Sequence, residues 1–256
     1  MRVLNRLVAA AFAATLSAAA FPALVQPAFA QASPAIAAAV ADPGRPEADR
    51  ARDAMRKPEQ TVAYAGVKPG DTVAELIPGG GYYTRILAKV VGPAGKVYAV
   101  VPDAPAPRPQ QAAALDALVK AYPNVVVVKG PITAFKPPAP VDVVWTSENY
   151  HDLRIPMFGS QDMAAFNKMV FDALKPGGVF YVEDHAAAPG AGASVVATLH
   201  RIDPATVRDE VTAAGLRLEL MTDILANPSD PHTQPVFDPS IRGKTDKFVM
   251  RFRKPR

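Results

Sequence analysis

The side chains able to do chemistry in this 256-residue sequence are concentrated in a few short stretches. Thr146-Ser-Glu-Asn-Tyr-His-Asp152 sets six polar or ionisable side chains and one tyrosine together, directly after the apolar run that ends at Trp145. His151 is the candidate general base there, because an unperturbed imidazole already titrates near neutral pH. Asn149 and Tyr150 are the catalytic candidates beside it. Neighbours leaving a strand point to opposite sides, so Asp152 is not expected to orient His151; Glu183 or Asp184 are better placed. The same region admits a second chemistry. His151, Asp184, His185 and His200 offer nitrogen and carboxylate ligands without thiolate, a set that suits a divalent ion such as zinc or manganese. The fourth histidine of the chain, His232, follows in a later loop.

The other concentration is structural before it is chemical. Val73 to Ile77 is an apolar run long enough for a buried strand, and Tyr82 to Val91 repeats apolar residues at helical spacing. Gly79, Gly80 and Gly81 fill the gap, with Glu75 before them and Tyr82 and Tyr83 after them. Glycines let the backbone turn sharply and a ligand approach closely, and the helix N-terminus behind them offers free N–H groups. A dinucleotide fingerprint needs a glycine three places after Gly81, where this sequence has Thr84.

Positioning these groups takes an alternating series of elements. Further strands are expected at Lys96 to Val101, Asn124 to Val128, Val141 to Thr146, Val179 to Glu183, Leu216 to Met221 and Lys247 to Phe252. Helices are expected over Glu47 to Met55, Glu59 to Ala65, Gln110 to Tyr122, Ser160 to Leu174 and Pro204 to Ala214, while Ala32 to Pro46 reads as a frayed start. That rhythm argues for a parallel α/β sheet covered on both faces, with ligands outside the carboxyl ends of the strands. On this order all four histidines lie in connections over that one edge.

Glu75-x-x-x-Gly79-x-Gly81 resembles the first motif of the class I S-adenosylmethionine-dependent methyltransferases, Asp/Glu-x-Gly-x-Gly-x-Gly, with Ile77 in place of the first glycine. The resemblance runs from about Pro46 to Pro255. It takes in Asn149-Tyr-His-Asp-Leu153, Leu174-Lys-Pro-Gly-Gly178 and the closing Lys244 to Lys254, and is nearest to an exported bacterial branch. It implies a Rossmann-like, doubly wound, mostly parallel seven-stranded sheet whose last strand inserts antiparallel beside the fifth. It implies S-adenosylmethionine as cofactor, with Glu75, Gly79, Gly80, Gly81 and Tyr82 at its methionine end, and substrate facing the segment after the fourth strand. Val101 stands where the family has an acid for the ribose, with Asp103 two residues on, and Pro131 stands where it commonly has an Asp near adenine. On this reading Gly81→Val fills the space of the ligand at modest cost in stability. The implied function is methyl transfer to a small molecule. The contrasting reading is a non-catalytic or metal-dependent periplasmic ligand-binding protein on the same scaffold.

Composition narrows the partners. Lys plus Arg exceeds Asp plus Glu by 28 − 24 = 4 without forming a basic run, and aromatic content is 7%, so nucleic acid is not an expected partner. Cysteine is absent, which excludes disulfides and thiolate metal sites. Met1 to Ala30 has Arg2 and Arg6, an uncharged Leu7 to Ala20 stretch and Ala28-Phe-Ala30, the layout of a secretory signal with cleavage before Gln31. The expected mature domain, residues 31–256, is periplasmic or secreted and keeps no membrane anchor.

Overall fold

The computed structural model describes residues 32–103, 109–156 and 159–256, so the signal-like stretch lies outside the described residues. The chain opens with a helix where a frayed segment is expected. Ser33 caps α1 (Pro34–Val40) by accepting the Ile36 N–H, proline occupies its first turn, and Ile36 and Ala39 are buried. Sparse alanine-rich spacing hides this helix in the sequence; its stability comes from packing rather than from pattern. The helix expected over Glu47 to Met55 is broken into α2 (Glu47–Arg50) and α3 (Asp53–Arg56). Lys57 then turns the chain through a left-handed conformation into α4 (Pro58–Ala65).

The remaining elements follow the expected order, with one unexpected short helix, α8, added: β1 (Thr72–Leu76), α5 (Tyr82–Val91), β2 (Lys96–Pro102), α6 (Pro109–Ala121), β3 (Val125–Gly130), β4 (Val141–Ser147), α7 (Met163–Ala173), β5 (Leu174–His185), α8 (Val196–Leu199), α9 (Pro204–Ala213), β6 (Arg217–Thr222) and β7 (Lys247–Arg253). The largest difference in a boundary is at β5. Pro176 and the glycine pair are expected to separate helix from strand, yet β5 begins at Leu174, which pairs with Val141 before the register shifts. The glycines sit inside a bulge: a Cβ on Gly178 would stand 2.9 Å from the Lys175 carbonyl oxygen.

The seven strands form one sheet in the order β3-β2-β1-β4-β5-β7-β6. β3, β2, β1, β4 and β5 are mutually parallel, and β7 runs antiparallel between β5 and β6. The strand order reverses between β1 and β4, so the turn after β1 and the segment after β4 flank one crevice. Alternation along β4 feeds two cores. Val144 packs with Tyr150, Phe166, Phe180 and Phe252 on one face, while Val143 and Trp145 pack with Tyr83, Ile86 and Tyr181 on the other; Val141 joins the first core because the register shifts between it and Val143. Burial on both faces is why the central strands read as near-continuous apolar runs. Among the described residues, no helix is long and apolar enough to cross a membrane.

Candidate active site

The turn after β1 bends through left-handed backbone at Ile77 (φ 55°), Gly79 (φ 56°) and Gly81 (φ 83°). Such conformations suit glycine, so Ile77 holds, at a steric cost, the place where the resembled motif has one. Two hydrogen bonds fix it: its N–H donates to the Val100 carbonyl at 2.9 Å, and its carbonyl accepts from Asn149 Nδ2 at 3.2 Å. Around Gly79 and Gly80 an added Cβ would meet nothing within 4 Å, whereas on Gly81 it would lie 2.4 Å from Leu118 Cδ1. Gly79 and Gly80 therefore offer open backbone, and Gly81 closes the packing of α5 against α6.

Gly79, Gly80 and Asn149 line a cleft of about 140 Å3 together with Arg52, Arg56, Tyr82, Tyr83, Trp145, Ser147 and Glu148. Tyr82 ties this wall to the N-terminal helices. Its hydroxyl donates to Asp53 Oδ1 at 2.6 Å, Asp53 also pairs with buried Arg45, and the Arg52 and Arg56 guanidinium carbons lie 4.8 and 4.9 Å from its ring centroid. Glu148 pairs with Arg56 and, at 2.5 Å, with Lys247. Burial works against the Glu148 charge, but Lys247 and Arg56 hold its carboxyl well below the usual carboxylate range. Among the described residues, Glu75 has no such charged partner in contact. Burial pushes its carboxyl up to about 8, opposed only in part by the 2.5 Å hydrogen bond from Thr84 and by Arg85 and Arg56.

Buried polar atoms without partners mark where a ligand would complete the cleft. Trp145 Nε1 and Ser147 Oγ have no hydrogen-bond partner among the described residues, and both residues line it. Open glycine backbone, these two buried polar atoms and two arginines fit the polar amino-acid end of S-adenosylmethionine, whose carboxylate needs N–H and cationic donors. Asp103 is outside this lining: it is exposed just beyond β2, with its N–H donating to Gly130.

The segment after β4 splits into two environments. Asn149 faces the cleft, but Tyr150 is fully buried on the other face, with its hydroxyl donating to Glu210 at 2.9 Å and accepting from Asn167 at 2.8 Å. It is a core residue, not a catalytic one. His151 is 2% exposed and both ring nitrogens are engaged, Nδ1 by Asp184 Oδ1 at 2.7 Å and Nε2 by Asp152 Oδ1 at 3.1 Å. Burial disfavours its charged form, but the charge of Asp184 and the hydrogen bonds of Asp152 and Asp184 raise it to about 10. An imidazole so held is not a free general base at neutral pH. Asp184 orients it as expected; Asp152 touches it against expectation, because the chain leaves β4 in a 3-10 turn (His151–Arg154) rather than extended.

Three of the four histidines gather here. The His151 ring centroid lies 5.8 Å from that of His185 and 5.5 Å from that of His200. His185 bonds Thr245 through Nδ1, and burial pushes it down to about 4, so it is neutral. His232 instead bonds Asp246 at 2.9 Å. The sequence points to Ser147 and Glu148 only as members of the polar Thr146–Asp152 stretch, and not at all to Arg52, Arg56 or Lys247 as site residues. The arginines come from a segment remote from the glycine turn, and only the fold brings them to it.

No protein-family model matches the chain. Solved structures do resemble it. A SAM-dependent methyltransferase from Aquifex aeolicus aligns with a TM-score of 0.57 at 20% identity, over 79% of this chain and 92% of that one. The [4+2]-cyclase SpnF aligns with a TM-score of 0.57 at 17% identity, over 81% and 82%. The 1,6-didemethyltoxoflavin-N1-methyltransferase of Burkholderia thailandensis, with bound 1,6-didemethyltoxoflavin and S-adenosylhomocysteine, aligns at 0.51 and 16% identity, over 82% and 79%. At these identities the likeness is one of fold: the sheet order and the antiparallel β7 are those of the class I methyltransferases.

Proposed function

We propose that this chain transfers a methyl group from S-adenosylmethionine to a small-molecule acceptor, with the amino-acid end of the cofactor seated over Gly79 and Gly80. The observation that carries this reading is the open backbone of those glycines beside the unpartnered Trp145 Nε1 and Ser147 Oγ, at the crevice where the strand order reverses. When bound, the cofactor supplies a methyl group made electrophilic by its sulfonium. Arg56 and Arg52, which line the cleft, would hold the carboxylate, Asn149 holds the turn through the Ile77 carbonyl, and the Trp145 ring would lie beneath the cofactor. His151 is engaged at both nitrogens, so the contribution of this chain is mainly positioning of the two reactants.

Thermal melting with S-adenosylhomocysteine tests the reading. A ligand at about 100 times its Kd stabilises the folded state by about 2.7 kcal/mol. A clear upward shift supports the cofactor site, and an unchanged melting curve at millimolar ligand contradicts it. The signal-like Met1 to Ala30 belongs to the same proposal, as the leader of an exported enzyme. The intact mass of extracellular or periplasmic product should correspond to a start at Gln31; a full-length product there would overturn it.

A further inference from the structure

We infer that His151, Asp152 and His200 form a binding site for one divalent first-row metal ion of the zinc type. The inference stands apart from the methyl-transfer reading, because it rests on different residues, none of which lines the glycine cleft. Ligand atoms of the three residues lie within 4.8 Å of one another. His151 Nε2 and His200 Nδ1 both converge on Asp152 Oδ1, at 3.1 and 3.2 Å. Ligand atoms bound about 2.0–2.1 Å from a tetrahedral ion sit roughly 3.3 Å apart, so these two edges already have the length a zinc site needs.

The second observation is the support behind His151. Its Nδ1 is held at 2.7 Å by Asp184 Oδ1, and the other Asp184 oxygen accepts the His151 backbone N–H at 2.8 Å. A carboxylate on the far nitrogen is the arrangement that fixes tautomer and ring direction in metal-ligating histidines. The structure thus divides the roles of the carboxylates: Asp152 is the ligand and Asp184 the positioning residue. His185 stands beside this group, its ring centroid 5.8 Å from that of His151, and is not one of the three residues whose ligand atoms converge.

The chemistry balances without a redox partner. Without the ion, His151 can satisfy both carboxylates only by carrying a proton on each nitrogen. The ion takes the place of the Nε2 proton, which leaves to solvent, while the Nδ1 proton stays on the Asp184 hydrogen bond. Two nitrogens and one carboxylate oxygen leave a fourth position open on a tetrahedral ion, the pattern of sites that bind an exchangeable oxygen ligand. The open side is that of Asp152 and His200, both partly exposed, where Phe237 packs on His200 with centroids 4.8 Å apart.

Full chain expressed without a histidine tag, stripped with chelator and titrated with Co2+, is the test. The site predicts about one Co2+ per chain with visible absorption of tetrahedral intensity. His200→Ala, which removes a partly exposed ligand, should abolish that absorption while melting close to wild type. Asp184→Asn should weaken Co2+ affinity about 10- to 100-fold. His232→Ala should change neither. Absence of stoichiometric Co2+ binding to wild type, or equal binding by wild type and His200→Ala, would overturn the site.

Discussion

At the scale of single residues, burial decides what each candidate can do. Glu75 was readable as the acid before the glycine turn, but nothing in the sequence says that its carboxyl is sealed beneath Thr84 and pushed up to about 8. A carboxyl with a folded pKa above its unfolded value binds its proton more tightly in the folded state. Its contribution to stability is therefore greatest below about pH 4.5 and declines as pH rises through about 8. Wild type should lose melting temperature from pH 5 to pH 9, and Glu75→Gln, which keeps an oxygen for Thr84, should lose distinctly less. Parallel pH profiles for the two proteins would refute the buried-acid account. His151 shows the same limit of sequence reasoning. Its place after β4 and its Asp184 partner follow from strand order, but the 3-10 turn that brings Asp152 onto it is a local backbone choice without a composition signal.

At the scale of the element, the strand, glycine turn and helix from Thr72 to Val91 could be read almost residue for residue, because apolar periodicity changes from strand to helix across the glycines. Which glycine does which task could not, since that depends on α6. The expectation that Gly81→Val blocks the ligand fails on Leu118, which already occupies that space. Gly81→Val should instead cost stability, about 1–3 kcal/mol from a strained φ and a clash. Gly80→Val should melt within about 1 kcal/mol of wild type, since its Cβ meets open space. Ile77 weighs two effects: its left-handed backbone costs about 1–2 kcal/mol, while its buried side chain contributes about 1.5–3 kcal/mol. Burial wins, so Ile77→Gly should be less stable than wild type by chemical denaturation; a gain in stability would show that strain dominates.

At the scale of the whole molecule, the sheet order followed from the alternation of strands and helices together with the resemblance, and the crevice followed from the sheet order. The walls of the crevice did not follow. Arg52 and Arg56 reach it because α1 to α4 fold back over α5, through contacts such as Arg45 with Asp53 and Tyr82 with Asp53, between residues that no local pattern connects. Fold also leaves the reaction open, since a methyltransferase and a cyclase align with this chain at the same TM-score of 0.57. The reaction therefore turns on whether the cleft binds the cofactor, which calorimetric titration of wild type and Gly80→Val with S-adenosylmethionine and S-adenosylhomocysteine decides. One saturable site per wild-type chain is expected for both ligands, with loss of both from a Gly80→Val protein that still melts like wild type. No binding to wild type, or equal affinity in the two proteins, would contradict it.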